Sequence, residues 1–126
     1  MRSPLIAIVD DDAALCTSLV DLMFSVGYRA EPFFQAEELL TSPNLSRYDC
    51  VIADVDMPGT GGLIVARKVR ERDELMPVIL ITALPDRQLE AEAISVGALC
   101  LLRKPLETQT LLDCLARSLS SERPSR

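Results

Sequence analysis

With 126 residues, 48% of them hydrophobic and 25% charged, the chain is long enough for one hydrophobic core, too short for two, and outside the disordered compositions. A formal net charge of −6 argues against a direct grip on nucleic acid or an anionic membrane, since either calls for a basic patch. No apolar run reaches the length of a membrane span, and Pro4 and Asp10 interrupt the first ten residues where a secretory leader would be apolar; a cytoplasmic protein with protein partners is expected.

The first element is a strand over 5–9, a continuous apolar run of the kind buried on both faces of a parallel sheet, and Asp10-Asp11 follow at its end. Leu15, Leu19, Leu22, Met23 and Val26 then recur at helical spacing, with Asp12 as N-cap and Gly27 at the stop. The second strand, 29–34, contains Pro32; proline cannot donate to a ladder, which predicts a sheet edge. After a short helical stretch over 36–40, the apolar run 50–53 delivers Asp54 to its tip, and Pro58-Gly59 turns the chain away. A helix over 62–70, a strand over 78–81 ending at Thr82, and a helix over 86–96 closed by Gly97 come next. The last strand, 99–102, precedes Lys104-Pro105, and Leu111, Cys114, Leu115 and Leu119 mark the final helix. The domain is expected over 1–119, and 120–126 reads as the start of a linker.

Five strand-then-helix units joined by right-handed crossovers predict a single α/β domain, a doubly wound (βα)5 fold with a parallel sheet of order 2-1-3-4-5. The four cysteines, Cys16, Cys50, Cys100 and Cys114, show no CxxC spacing and there is no histidine to complete a zinc site. They are expected to be small, buried, reduced thiols.

In that fold the strand ends share one edge, where open α/β sheets bind ligands, so Asp10, Asp11, Asp54, Thr82 and Lys104 converge. Carboxylates with one lysine suit Mg²⁺ and a phosphoryl group. A carboxylate can attack phosphorus when a metal neutralises the approaching oxygens, which assigns the nucleophile to Asp54. Asp11, Asp54 and the backbone carbonyl of Asp56 are the expected direct Mg²⁺ ligands, with Asp10 acting through water. Lys104 and Thr82 supply a cation and a hydroxyl for the phosphoryl oxygens. The Lys104-Pro105 bond is of the type that admits cis, and the sequence leaves its isomer open.

The set Asp10-Asp11, Asp54-Val55-Asp56-Met57-Pro58-Gly59 with Gly61-Gly62, Thr82-Ala83, Gly97-Ala98 and Lys104-Pro105 closely resembles the receiver domain of two-component response regulators. The resemblance covers about residues 4 to 119 and looks most like the nitrogen-fixation and nodulation (FixJ-type) regulators, whose receivers precede a helix-turn-helix DNA-binding domain. It implies a flavodoxin-like fold and a sensor histidine kinase that phosphorylates Asp54 with Mg²⁺. It also implies a phosphoprotein rather than an enzyme, with transcription controlled through a DNA-binding domain outside this chain. Thr82 and the fifth-strand residue three before the lysine would form the switch; that residue is Leu101, where the family commonly carries Tyr or Phe. A smaller or differently wired change is therefore expected on the face of helix 4, strand 5 and helix 5, which is also the candidate homodimer surface. Leu84, two residues past Thr82, cannot orient a water, so self-dephosphorylation is expected to be slow unless Asp56 helps. Two alternatives stay open: a phosphatase of the haloacid-dehalogenase type, which Asp54-Val55-Asp56 also resembles, and a degenerate receiver that acts only as an interaction module.

Overall fold

The computed structural model describes residues 3–120. The strands are β1 (Leu5–Val9), β2 (Arg29–Phe33), β3 (Cys50–Asp54), β4 (Val78–Thr82) and β5 (Cys100–Arg103). They alternate with helices α1 (Ala13–Ser25), α2 (Ala36–Leu40), α3 (Gly62–Arg72), α4 (Arg87–Ser95) and α5 (Thr108–Ser120). All pairings are parallel and the order is β2-β1-β3-β4-β5, the expected doubly wound arrangement. Pro32 lies on β2, which pairs with β1 alone and forms one edge of the sheet. A 3₁₀ turn at Leu45–Arg47 is an addition to the expected elements. Of the expected linker 120–126, Ser120 is the last residue of α5 and 121–126 lie outside the described residues.

Every residue of β1, β3 and β4 is buried, which accounts for their continuous apolar runs. Alternate residues divide between two cores. Ile6, Ile8, Ile52, Ile79 and Ile81 pack with Leu19 and Met23 of α1 and Leu111 and Leu115 of α5. Ala7, Val9, Val51, Ala53, Val78 and Leu80 pack on the opposite face with Leu39 of α2, Val65 and Val69 of α3, and Ala93 of α4. Helix entry is fixed where it matters for the strand ends: Asp12 accepts a hydrogen bond from the Leu15 amide at 3.1 Å, and Asp86 accepts one from Leu89 at 2.8 Å.

The cysteine expectation fails at two of four positions. Cys100 and Cys114 form a disulfide, whereas Cys16 and Cys50 are buried and take no part in one. The bonded pair is 14 positions apart in sequence, with a loop between. No short-range spacing marks them; they meet because the side chain of Cys100 points to the sheet face that α5 covers with Cys114.

The start of α3 is pressed against the end of β3. A Cβ on Gly62 would lie 2.7 Å from the Asp54 carbonyl oxygen, and one on Gly61 would lie 2.5 Å from that of Val55. Both obstacles are backbone, so they cannot rotate aside. Gly62→Ala is expected to lower stability by about 2 kcal/mol through overpacking, read as a fall in the urea midpoint. An unchanged midpoint would mean that α3 can back away from Asp54 freely.

Candidate functional site

Four adjacent strands end at one edge, and each presents one polar side chain there: Asp10 after β1, Asp54 closing β3, Thr82 closing β4, and Lys104 after β5. Asp10 and Thr82 are fully buried and Asp54 is 3% exposed. Asp11 is exposed beside them. The Lys104 ammonium donates to Asp54 Oδ2 at 2.9 Å and lies 3.1 Å from Asp10 Oδ2. The peptide bond that follows Lys104, to Pro105, is cis.

The remaining oxygen of each buried carboxylate is held by an amide two residues on. Asp12 N donates to Asp10 Oδ1 at 2.9 Å, and Asp56 N donates to Asp54 Oδ1 at 2.9 Å. These are local turns in which an aspartate braces its own loop. They leave the other oxygen of each, both Oδ2, to share one ammonium.

That sharing shows in the proton affinities. Burial pushes the Asp10 carboxyl above the usual carboxylate range, and the neighbouring Asp54 charge adds to the rise; the Asp12 amide and Lys104 offset only part of it. Lys104 moves the other way from a buried lysine. Burial pulls its pKa down, but hydrogen bonds and charge from Asp54 and Asp10 outweigh this and leave it raised.

The carboxylate oxygens of Asp10, Asp11 and Asp54 lie within 4.8 Å of one another. Asp10 Oδ2 is buried with no hydrogen bond of good geometry, its neighbour being the Lys104 ammonium. An under-satisfied buried oxygen inside a cluster of hard oxygen donors fits a small divalent cation, which would supply the missing positive charge.

Thr82 belongs to the same edge but is tied to a different partner. Its hydroxyl donates to Asp56 Oδ2 at 2.9 Å, and the Ala83 amide reaches the same oxygen at 3.2 Å. The Leu84 amide in turn donates to the Thr82 hydroxyl at 3.3 Å. The sequence assigned Asp56 a backbone carbonyl on the metal and possible help in dephosphorylation; its side-chain bond to Thr82 was missed. The signal for it lay in an acid two residues past the tip of β3, one position beyond the level of the hydroxyl that ends the neighbouring strand. Leu101 is half-buried and packs on the α2–α4 side of the sheet, away from the carboxylates. Leu84 is 78% exposed.

Among the described residues no helix is long and apolar enough to cross a membrane. Residues 6–116 match the family model described as the response regulator receiver domain. Response regulator protein TodT of Pseudomonas putida is 36% identical over 118 residues, covering 94% of this chain and 52% of that protein. Transcriptional regulatory protein FixJ of Bradyrhizobium diazoefficiens is 32% identical over 121 residues, covering 95% of this chain and 58% of its own length. The chain thus spans about half the length of the curated relatives it matches. Among solved structures, the chemotaxis protein CheY4 of Vibrio cholerae superposes with a TM-score of 0.87 at 28% identity, covering 94% of this chain and all of that one.

Proposed function

This chain belongs to the response regulator receiver domain family, and from that premise we propose that Asp54 accepts a phosphoryl group from a sensor histidine kinase with the help of Mg²⁺. The observation that carries the reading is the pairing of two buried carboxylates, Asp10 and Asp54, around the single ammonium of Lys104 at the strand ends. By family the chain is a signalling receiver, not an enzyme, and relatives such as TodT and FixJ are regulatory proteins, FixJ by its name a transcriptional one. Control of transcription through a DNA-binding domain beyond this chain, with residues 1–119 as the receiver, is the corresponding proposal for the whole protein. It would act in the cytoplasm.

Asp11, Asp54 and the Asp56 carbonyl would hold the Mg²⁺, with Asp10 acting through water. The ion would supply charge neutralisation on the transferring group. The residues do the rest. Asp54 Oδ2 faces the open edge, because Oδ1 is braced by the Asp56 amide. Attack by Oδ2 on phosphorus displaces the donor and leaves an acyl phosphate on Asp54. Lys104 exchanges its carboxylate contact for a phosphoryl oxygen, which needs no more than a small shift of a flexible side chain. Thr82 must leave Asp56 to reach another phosphoryl oxygen, so the Thr82 to Asp56 bond opposes the switch in the resting state.

With Leu101 on one side of β5 and no aromatic ring to swing, the change would be carried by Thr82 and by repacking of a half-buried leucine. The face of α4, β5 and α5 remains the candidate dimer surface, where Leu84, Ile94 and Leu99 are exposed. Self-dephosphorylation is proposed to be slow. Leu84 offers no group to orient water. In the resting site the Asp56 carboxylate is held by Thr82 and Ala83, which argues against the phosphatase alternative, since that needs the carboxyl free as a general acid.

The test is phosphorylation by acetyl phosphate followed by intact mass, with Mg²⁺ or with chelator. One adduct per chain that requires Mg²⁺ supports the reading. Absence of both adduct and Mg²⁺ binding overturns it in favour of an interaction module. For the metal arm, millimolar Mg²⁺ is expected to raise the melting temperature of the native chain. Asp11→Ala should abolish most of that rise while leaving the fold intact, since Asp11 is exposed. An equal rise in the variant would remove Asp11 from the ligand set.

A further inference from the structure

We propose that Cys100 and Cys114 are a reversible thiol–disulfide site, at which a low-molecular-weight disulfide of the glutathione type cross-links α5 to the edge strand β5. The bond joins the first residue of β5 to the middle of α5 across a Cα–Cα distance of 6.9 Å. The other two thiols are unsuited to such chemistry. Cys16 is 1% exposed on the sheet-facing side of α1, where its thiol donates to the Asp10 carbonyl at 3.3 Å. Cys50 is fully buried in β3, between β1 and β4. Cys100 differs from both: it is half-buried on a strand that has a neighbour on one side only. A small disulfide can approach its sulfur from the open edge, and Cys114, 2% exposed behind it, is placed to resolve the mixed species.

The exchange balances as follows. The Cys100 thiolate attacks one sulfur of the donor disulfide, forming a mixed disulfide and expelling one donor thiolate. The Cys114 thiolate then attacks the Cys100 sulfur and expels the second. Two electrons pass to the donor, whose halves leave as two thiols carrying the two protons. An excess of the same thiol drives both steps back.

The position of the bond gives it a consequence. Leu101 adjoins Cys100 in β5, and Lys104 follows four residues after it. Leu111 and Leu115, which seat α5 on the sheet, flank Cys114. Oxidation therefore fastens α5 to the strand that carries the half-buried leucine and leads directly into the site lysine. The existence of the site is independent of the receiver reading; its effect on switching rests on that reading.

The experiment uses the intact chain equilibrated in graded mixtures of glutathione and its disulfide, then denatured, alkylated and weighed. The expected result is four alkylated thiols at the reducing end and two at the oxidising end, interconverting in both directions, because the chain has four cysteines and one pair bonds. Cys100→Ser should show three alkylated thiols at the reducing end and form no internal cross-link at any ratio. Amide exchange over 100–103 and 108–120 should be slower in the oxidised chain. Beryllofluoride, added as a phosphoryl mimic with Mg²⁺, should change exchange on those segments more in the reduced chain than in the oxidised one. Four alkylated thiols at every ratio, a stable glutathione adduct on Cys100 alone, a cross-link that glutathione cannot reopen, or identical exchange in the two states would overturn the proposal. If the thiols interconvert and stiffen α5 while beryllofluoride alters neither form, the receiver reading fails and the redox site stands.

Discussion

Asp54→Asn is expected to abolish phosphorylation by acetyl phosphate outright, leaving no adduct by intact mass under conditions that load one phosphoryl group on the native chain. The substitution keeps the shape of the side chain and one acceptor oxygen for the Asp56 amide, which now braces Asp54 at 2.9 Å. It removes the anionic oxygen that is proposed to attack phosphorus, and an amide is no replacement as a nucleophile. Asp11 and Asp56 are the nearby acids that accept no bond from Lys104, and both are exposed. An adduct of equal yield on the variant would move the acceptor to another residue and with it the whole reading of the site. Because asparagine also relieves charge repulsion with Asp10, the variant should be no less stable than the native chain, so loss of the adduct cannot be ascribed to unfolding.

Lys104→Met is expected to have the largest effect on stability. The Lys104 side chain is 24% exposed, and its ammonium stands between carboxylates whose side chains are 0% and 4% exposed. Removing one partner of a buried ion pair costs about 3 to 5 kcal/mol, because the charge left behind has neither water nor a counterion. With a partly exposed lysine the lower end applies, about 3 kcal/mol, measured by urea unfolding in chelator. The folded state raises the proton affinity of Lys104. Its contribution is therefore fully present below the ordinary lysine range and fades as pH climbs through the raised value.

The same variant should bind Mg²⁺ more tightly than the native chain, since the competing cation is gone, and millimolar Mg²⁺ should recover much of the lost stability. Phosphorylation should nevertheless slow by about 10²-fold, the scale for loss of one preorganised charge donor. Tighter metal binding with slower chemistry is a combination that general misfolding does not produce. Unchanged stability in chelator would mean that Asp10 takes up a proton and that the ion pair has little net worth.

Asp10, Asp54 and Thr82 were legible in the sequence because each is the first polar residue after an apolar run, and a buried parallel strand leaves that residue at the carboxyl edge; Lys104, one residue past Arg103, stood out by its place before Pro105. Pro32 placed β2 at the border for an equally local reason, its missing N–H. What escaped were relations between elements. Asp56 and Thr82 are 26 residues apart, and whether an acid past a strand tip turns toward its own loop or toward the next strand depends on the path of that loop. The Cys100–Cys114 bond depends on which face of β5 meets α5, and that face is set by where the strand begins. The apolar run begins at Leu99 while the strand begins at Cys100, so the run alone blurs the parity that decides it. Helix ends drifted for a similar reason. Polar Glu71 and Arg72 extend α3 past the last apolar residue, where periodicity carries no signal.

The paired braces behind Asp10 and Asp54 bear on how long a signal would last. Each carboxylate is oriented by an amide two residues along its own chain, so the charged frame at the strand ends is rebuilt by covalent connectivity and needs no recovery of distant contacts. Were an acyl phosphate on Asp54 hydrolysed, what would have to return is one hydroxyl, one ammonium and the packing of one half-buried leucine, all side-chain motions. Side-chain and loop motions run from picoseconds to microseconds, far shorter than the slow hydrolysis proposed for a site whose Leu84 cannot orient water. The duration of the active state would then be a chemical lifetime, set bond by bond, and the fold itself would keep no memory of having been switched.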